Sequence, residues 1–275
     1  MKMKKWVIVF ASLLLFLTGC AQMNSNTANT AVSPVIDRIQ QRQELVVGMA
    51  GNMPPLNMTT KDGELIGYEV DLAKAMAKGM GVNAKLAVIP FAELLPALQS
   101  GKIDMILSNM TITPKRNLKV AFVGPYFTSG KAFLTKIKTL AMANKPQDLE
   151  VKNIKLVALK GSTSQAFVEE TMPDATLVTA NGYDEAVKMV LEDKVQAMVA
   201  DYPICVVSVF RYPNQGLLSV VTQLTYEPIG VGVPAGDPLL VNWVENFMGI
   251  ADKTGLLGKL KEKWLLNADW LQQLP

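Results

Sequence analysis

The sequence predicts an α/β fold of two similar lobes. Three observations carry that expectation. Short apolar runs alternate with amphipathic segments, the alternation occurs twice in the same order, and two extended stretches link one set to the other. A chain of 275 residues, 49% hydrophobic and 19% charged, is long and apolar enough to bury a core in each lobe.

The elements follow in order from Pro34. Glu44 to Met49 (ELVVGM) reads as the first strand and Ala50 to Asn57 as a Gly/Pro-rich loop. Gly67 to Gly81 reads as a helix, because Ala73, Met76, Ala77 and Met80 recur at spacings of three and four and Gly79 and Gly81 stop it. Lys85 to Ile89 is a strand. Phe91, Leu94, Leu95 and Leu98 form the stripe of a helix ending at Gly101, and Ile103 to Leu107 is a buried strand. The second set has a strand at Ile154 to Leu159, a loop and capped helix at Ser162 to Thr171, and a strand at Thr176 to Thr179. A helix at Asp184 to Glu192 and a strand at Ala197 to Ala200 complete it. The last helices run from Pro238 to Thr254, with Asp237 as N-cap and Pro238 at N1, and from about Leu257 to Leu266. Phe127 to Thr135 leads out of the first lobe and Leu224 to Pro234 leads back. Lobe 1 is therefore expected at 35–128 plus 228–275 and lobe 2 at 129–227, with the crossings near 127–135 and 224–234. Two lobes with a double crossover bend about a hinge.

Composition excludes several chemistries. The chain has no His, which removes the commonest general base and metal ligand, and two Cys, too few for a disulfide scaffold or a four-cysteine zinc site. No P-loop, dinucleotide-binding Gly motif or metal-ligand cluster is visible, so no cofactor is expected. The formal charge of +3 comes from Lys2, Lys4 and Lys5; without residues 1–19 the count is 24 Lys+Arg against 24 Asp+Glu. A neutral body gives no reason to expect nucleic acid as a partner.

Those lysines precede the apolar run Trp6 to Leu17 and then Leu17-Thr18-Gly19-Cys20, the arrangement of a secretory leader. The run is too short for a hydrocarbon layer of roughly 30 Å. Its last four residues resemble a bacterial lipobox. That implies cleavage after residue 19 and a lipidated Cys20, anchored to membrane lipid outside the cytoplasm. Residues 20–34, rich in Asn and Thr and without periodicity, read as a flexible tether.

Gly67-Tyr68-Glu69-Val70-Asp71-Leu72 followed by Met76-Ala77 resembles the signature helix of the extracytoplasmic amino-acid-binding proteins of ABC transporters, the polar amino acid or family 3 group. Pro96 to Asp104 (PALQSGKID), Thr111 to Arg116 (TITPKR), Gly124-Pro125-Tyr126-Phe127 and Trp264-Leu265 stand in the family's order at about its spacing. The resemblance spans Ile36 to about Leu266. It implies a type II periplasmic-binding-protein-like fold with a ligand cleft between lobes, and an amino acid and an ABC permease as partners of a monomer.

A free amino acid presents a carboxylate and an ammonium, and burying either unpaired is costly. By the resemblance, Arg116 of Thr-x-Thr-x-x-Arg takes the carboxylate with its planar fork. Thr163, within Gly161-Ser162-Thr163-Ser164 at a strand-to-helix turn, is a second carboxylate contact from the other lobe, with Ser162 beside it. Asp201 matches the acid that pairs with the α-ammonium, and it ends an apolar strand, where ligand groups gather in open α/β sheets. Asn109 and Thr111 complete the polar cluster. Phe91, Ala50 and Met53 would form an apolar, adaptable wall. Relatives often carry an acid and an aromatic where Ala50 and Met53 stand, so an uncharged side chain is expected.

Local alternatives remain beside these roles. Arg116 could be a surface cation, Asp201 or Ser162 a helix cap, and Phe91 core. Glu69 and Asp71, two apart on a helix, point in different directions and read as acids near a helix N-terminus. Cys205 reads as a small buried hydrophobe. Two other functions stay open. One is a cyclohexadienyl dehydratase-like enzyme, although Ile204 stands where that group's catalytic Glu aligns. The other is the input subunit of a separate sensor.

Overall fold

The computed structural model describes residues 33–142, 154–220 and 224–275. The expected leader, Cys20 and the expected tether up to residue 32 lie outside the described residues. The body from Ser33 to Pro275 is one compact unit.

Ser33 and Pro34 belong to the body, because Pro34 opens helix α1 (Pro34–Arg42) and the Ser33 hydroxyl both accepts from the Ile36 N–H and donates to Asp237 at 2.8 Å. Strand β1 (Glu44–Met49) follows, buried at every position after Glu44. Such an unbroken apolar run suits a parallel strand covered on both faces. The expected loop at 50–57 carries short strands instead: β2 (Asn52–Met53) and β3 (Asn57–Thr59) pair antiparallel, and β4 (Leu65–Ile66) joins β3.

Helix α2 (Tyr68–Gly79) starts at Gly67, whose φ of 137° and position 2.2 Å from the Leu56 carbonyl for any added Cβ leave room for glycine alone. Then come β5 (Asn83–Val88), α3 (Leu94–Gln99) after a short 3₁₀ turn at Phe91–Glu93, and β6 (Met105–Ile106). The last is shorter than the sequence implies. Helix α4 (Pro114–Asn117) precedes the long β7 (Val120–Ser129).

After Gly130, β8 (Lys131–Thr135) and α5 (Lys138–Ala141) open the second set. It continues through β9 (Lys155–Leu159), α6 (Thr163–Thr171), β10 (Thr176–Ala180), α7 (Tyr183–Leu191), β11 (Ala197–Asp201), α8 (Tyr202–Arg211) and β12 (Leu218–Ser219). Strand β13 (Glu227–Pro234), α9 (Pro238–Lys253) and α10 (Leu256–Lys261) return to the first. Asp237 caps α9 by accepting from the Leu240 N–H at 3.0 Å, as expected from Asp-Pro.

Two five-stranded sheets result, β5-β1-β6-β13-β7 and β10-β9-β11-β8-β12. In each, three parallel strands are followed by antiparallel ones, which explains why the sequence reads as the same motif twice. The chain crosses between sheets at two adjacent places. Outbound it passes from β7 to β8 through Gly130; inbound, the Leu224 N–H donates to the Lys131 carbonyl at 2.9 Å before Glu227 pairs with Ser129. One apolar core holds α2, α9 and α10 on the first sheet. The other contains residues of both sheets, including Val46, Ile106, Phe133 and Met198.

Candidate functional site

The predicted site residues lie on loops and strand ends where the two sheets face each other. This is the end of an open α/β sheet at which backbone groups and helix N-termini are free for a ligand. From the first sheet come Asn109 and Thr111 after β6, and Arg116 on α4. The second contributes Thr163 at the start of α6 and Asp201 at the end of β11.

Arg116 is buried although charged. The Thr113 hydroxyl caps α4 by accepting from the Arg116 N–H at 3.2 Å, and Pro114 occupies N1, so Thr-x-Thr-Pro-x-Arg is a local device that aims the guanidinium inward. Its Nη1 donates to the Thr111 carbonyl at 2.9 Å and its Nη2 to the Gly161 carbonyl, across the gap, at 3.2 Å. The fork lies over Phe91, 5.6 Å from the ring centroid. Two carbonyls occupy only part of a group with five N–H donors. Burial pushes the guanidinium pKa down to about 10, against the opposing pull of Asp201 and Glu227. It therefore stays charged at neutral pH.

Asp201 sits at the N-cap position of α8 but its side chain makes no capping bond. It turns into the gap instead. Asn109 Nδ2 donates to Asp201 Oδ2, and Lys131 Nζ donates to Asp201 Oδ1 at 2.6 Å. Asn109 holds a left-handed φ of 48°, which Asn tolerates better than most residues, and its Oδ1 is buried without a partner among the described residues. That oxygen is an acceptor beside a carboxylate, a pair suited to an ammonium.

Two charged groups escaped the sequence reading. Lys131, 1% exposed at the start of β8, reaches Asp201, Glu227 at 3.2 Å and the Thr163 hydroxyl at 2.7 Å. Glu227, at the start of β13, also accepts from Thr163 at 3.0 Å and Thr225 at 3.0 Å. Burial pulls the Glu227 carboxyl up, but the Lys131 charge and hydrogen bonds from Thr111 and Thr163 outweigh it and leave the pKa below its usual value. Both residues read as parts of connecting strands. The one signal was a charged residue at the head of an otherwise apolar strand. The hydroxyls of Thr111 and Thr163 lie 3.3 Å apart and close the ring of polar groups between the sheets.

The remaining predicted residues divide. Ala50, Met53 and Phe91 are buried among apolar neighbours, in the core that contains residues of both sheets. Ser162 is the N-cap of α6: its hydroxyl accepts from the Gln165 N–H at 3.2 Å and donates to the Leu159 carbonyl at 2.7 Å. Tyr183, at the start of α7, is buried near Asp201, and burial pushes its phenol pKa well up, so it stays protonated.

Behind the site, Glu69 stands in the first turn of α2 as expected, and the structure adds its partners. It is fully buried and accepts from the Asn109 N–H at 2.6 Å, from Asn57 Nδ2 and from the Tyr126 hydroxyl. Burial pushes its pKa up against those three bonds. Asp71 does point elsewhere, to Trp264 Nε1 at 2.9 Å and Lys263 Nζ at 2.7 Å. Among the described residues no group of His, Cys, Asp and Glu could hold a metal, and no helix is long and apolar enough to cross a membrane.

Residues 45–267 match the family described as bacterial extracellular solute-binding proteins, family 3. The chain belongs to this family. The solute-binding protein is 26% identical over 265 residues to the ABC transporter glutamine-binding protein GlnH of Bacillus subtilis (strain 168), covering 94% of each chain. It superposes on the ancestral amino acid-binding protein AncCDT-1, a precursor of cyclohexadienyl dehydratase, with a TM-score of 0.75 and 35% identity, over 83% of this chain and 98% of that one. A second structure, an ancestral arginine-binding protein bound to arginine, gives a TM-score of 0.77 at 32% identity, over 81% and 98%. The two-lobed α/β architecture is that of type II periplasmic binding proteins.

Proposed function

We propose that this solute-binding protein takes a free L-amino acid with an uncharged side chain between its lobes and delivers it to an ABC permease. The observation that carries the reading is the placement of opposite charges on opposite lobes: the Arg116 fork on one side, Asp201 on the other, with Asn109 between them. Arg116 would grip the α-carboxylate, aided by Thr163. Asp201, the free Asn109 Oδ1 and Thr111 would take the ammonium. Ala50, Met53 and Phe91 supply an apolar wall and Ser162 fixes the loop that carries Thr163. Relatives named for glutamine, arginine and cystine support the ligand class.

The lobes are taken as 35–128 with 228–275, and 129–227, joined near Gly130 and Leu224. The two separate sheets and two adjacent crossings support that division. A mostly open receptor that becomes mostly closed needs roughly 5 kcal/mol of differential affinity, which charge-assisted contacts to a zwitterion can supply. Ile204, where a dehydratase general acid would stand, is buried and apolar, which supports a receptor over an enzyme. Leu17 to Cys20 supports anchoring through lipid on Cys20 at the outer face of a membrane.

Calorimetric titration with the common L-amino acids tests this. Saturable binding of neutral members is expected; binding confined to Arg, Lys, His, Asp or Glu would contradict it. Turnover of prephenate or arogenate that disappears in Asp201→Ala would overturn the receptor assignment.

A further inference from the structure

The mechanism above uses Arg116 and Asp201 and leaves two buried charges, Lys131 and Glu227, without a task. Lys131 is nearly inaccessible, and its ammonium sits among Asp201 Oδ1 at 2.6 Å, Glu227 Oε2 at 3.2 Å and Thr163 Oγ1 at 2.7 Å. Burying a lysine in this way is costly unless anions pay for it, and the two acids do.

The cleft thus carries two fixed cations, Arg116 and Lys131, and two fixed anions, Asp201 and Glu227. These cancel. A zwitterion entering this set leaves the sum at zero, whereas a ligand with a further positive charge would add an uncompensated buried cation. Glu69 cannot absorb it, because both its oxygens face Asn57, Tyr126 and the Asn109 N–H behind the site. Glu227 has little capacity left for a distal ammonium or guanidinium, since Lys131, Thr163, Thr225 and Thr111 already face its oxygens, whereas each Asp201 oxygen accepts a single bond and keeps a lone pair for the α-ammonium.

We propose that Lys131 is a specificity-determining residue: its ammonium neutralises the second acid of the Asp201–Glu227 pair, leaving one anionic charge for the ligand's α-ammonium, and so bars amino acids with cationic side chains. This rests on the amino-acid reading above and names the class that the same cleft refuses. The covalently tethered cation has an effective concentration that does not fall on dilution, an advantage over a cation that must diffuse in. Rejection is by charge, so it is separable from the fit of the apolar wall.

The test is calorimetric titration of the full chain and of Lys131→Gln with L-arginine, L-lysine, L-leucine, L-glutamine and L-glutamate, each protein first checked for folding by circular dichroism. The native chain should bind a neutral amino acid at least about 100-fold more tightly than arginine or lysine. In Lys131→Gln the cleft carries one net negative charge, and the ratio should shift toward the cations by about 10-fold or more. The double variant Lys131→Gln/Glu227→Gln restores neutrality and should return the native preference. Equal native affinity for arginine and leucine overturns the proposal, and that measurement needs no variant to fold. An unchanged ratio in a folded Lys131→Gln also overturns it while leaving the amino-acid reading intact. Failure of every amino acid to bind the native chain overturns both.

Discussion

The side-chain amide of Asn109 donates to the carboxylate of Asp201, so a loop of one sheet grips the strand end of the other. The grip is set from behind. Glu69 holds the Asn109 backbone N–H at 2.6 Å, which fixes a residue in left-handed conformation and leaves its amide carbonyl free. A signature-helix acid therefore orients the site without lining it.

Glu69→Ala leaves three buried donors unmatched and should cost about 3 kcal/mol, a fall in melting temperature of roughly 6–12 °C. Glu69→Gln gives the sign of the proton linkage. The native pKa is raised above the ordinary 4.5, so the stabilisation is complete below that value and declines as pH rises through the native pKa. The melting-temperature difference between native and Glu69→Gln protein should therefore shrink as pH climbs from about 4.5. A difference that widens would contradict this account.

Arg116→Lys keeps the charge and loses the fork. Affinity for the best neutral amino acid should fall about 10- to 100-fold, the equivalent of about 1.5–3 kcal/mol, with little change in unfolding. Comparable affinity in the Lys variant would place Arg116 outside the carboxylate contact.

Gly182, the residue before α7, faces Asn52 of the small antiparallel sheet; a Cβ there would lie 2.3 Å from Asn52 Nδ2. Its φ of −156° suits any residue, so bulk acts only across the cleft. Gly182→Leu should weaken amino-acid binding about 10-fold while thermal unfolding without ligand moves by less than about 1 kcal/mol. Equal affinity would show that this contact is irrelevant to closure.

Cys205 is buried in α8, and burial pushes its thiol pKa up, so it is a poor nucleophile. Maleimide should label this position slowly in the native protein and rapidly in guanidinium. Fast native labelling would contradict its packed role.

Most of the architecture was legible because apolar periodicity repeats: β1, α2, α6, α7, β11 and α9 fall where the pattern places them. Arg116 was singled out through the resemblance of Thr-x-Thr-x-x-Arg to the family's motif; the Thr113 cap and Pro114 at N1 that aim it inward are visible only in the structure. Lys131 and Glu227 were not singled out, since periodicity says which residues of a strand are buried and nothing about where a charged tip reaches. The contacts of Glu69 were not legible for a related reason: its partners, Asn57, Asn109 and Tyr126, are distant in sequence and meet only through the fold. Ser33 and Pro34 looked like tether because the contact that secures them, Asp237, lies 204 residues away.

The central claim is that Arg116 and Asp201 hold the two backbone charges of an amino acid at once. The most direct measurement is calorimetric titration of the native protein with L-leucine, L-methionine and L-phenylalanine, alongside the N-acetyl and carboxamide derivative of each. The account predicts that whichever parent binds best loses at least about 100-fold on either modification, and that Asp201→Asn removes the penalty for N-acetylation. Derivatives that bind as tightly as their parents would contradict it.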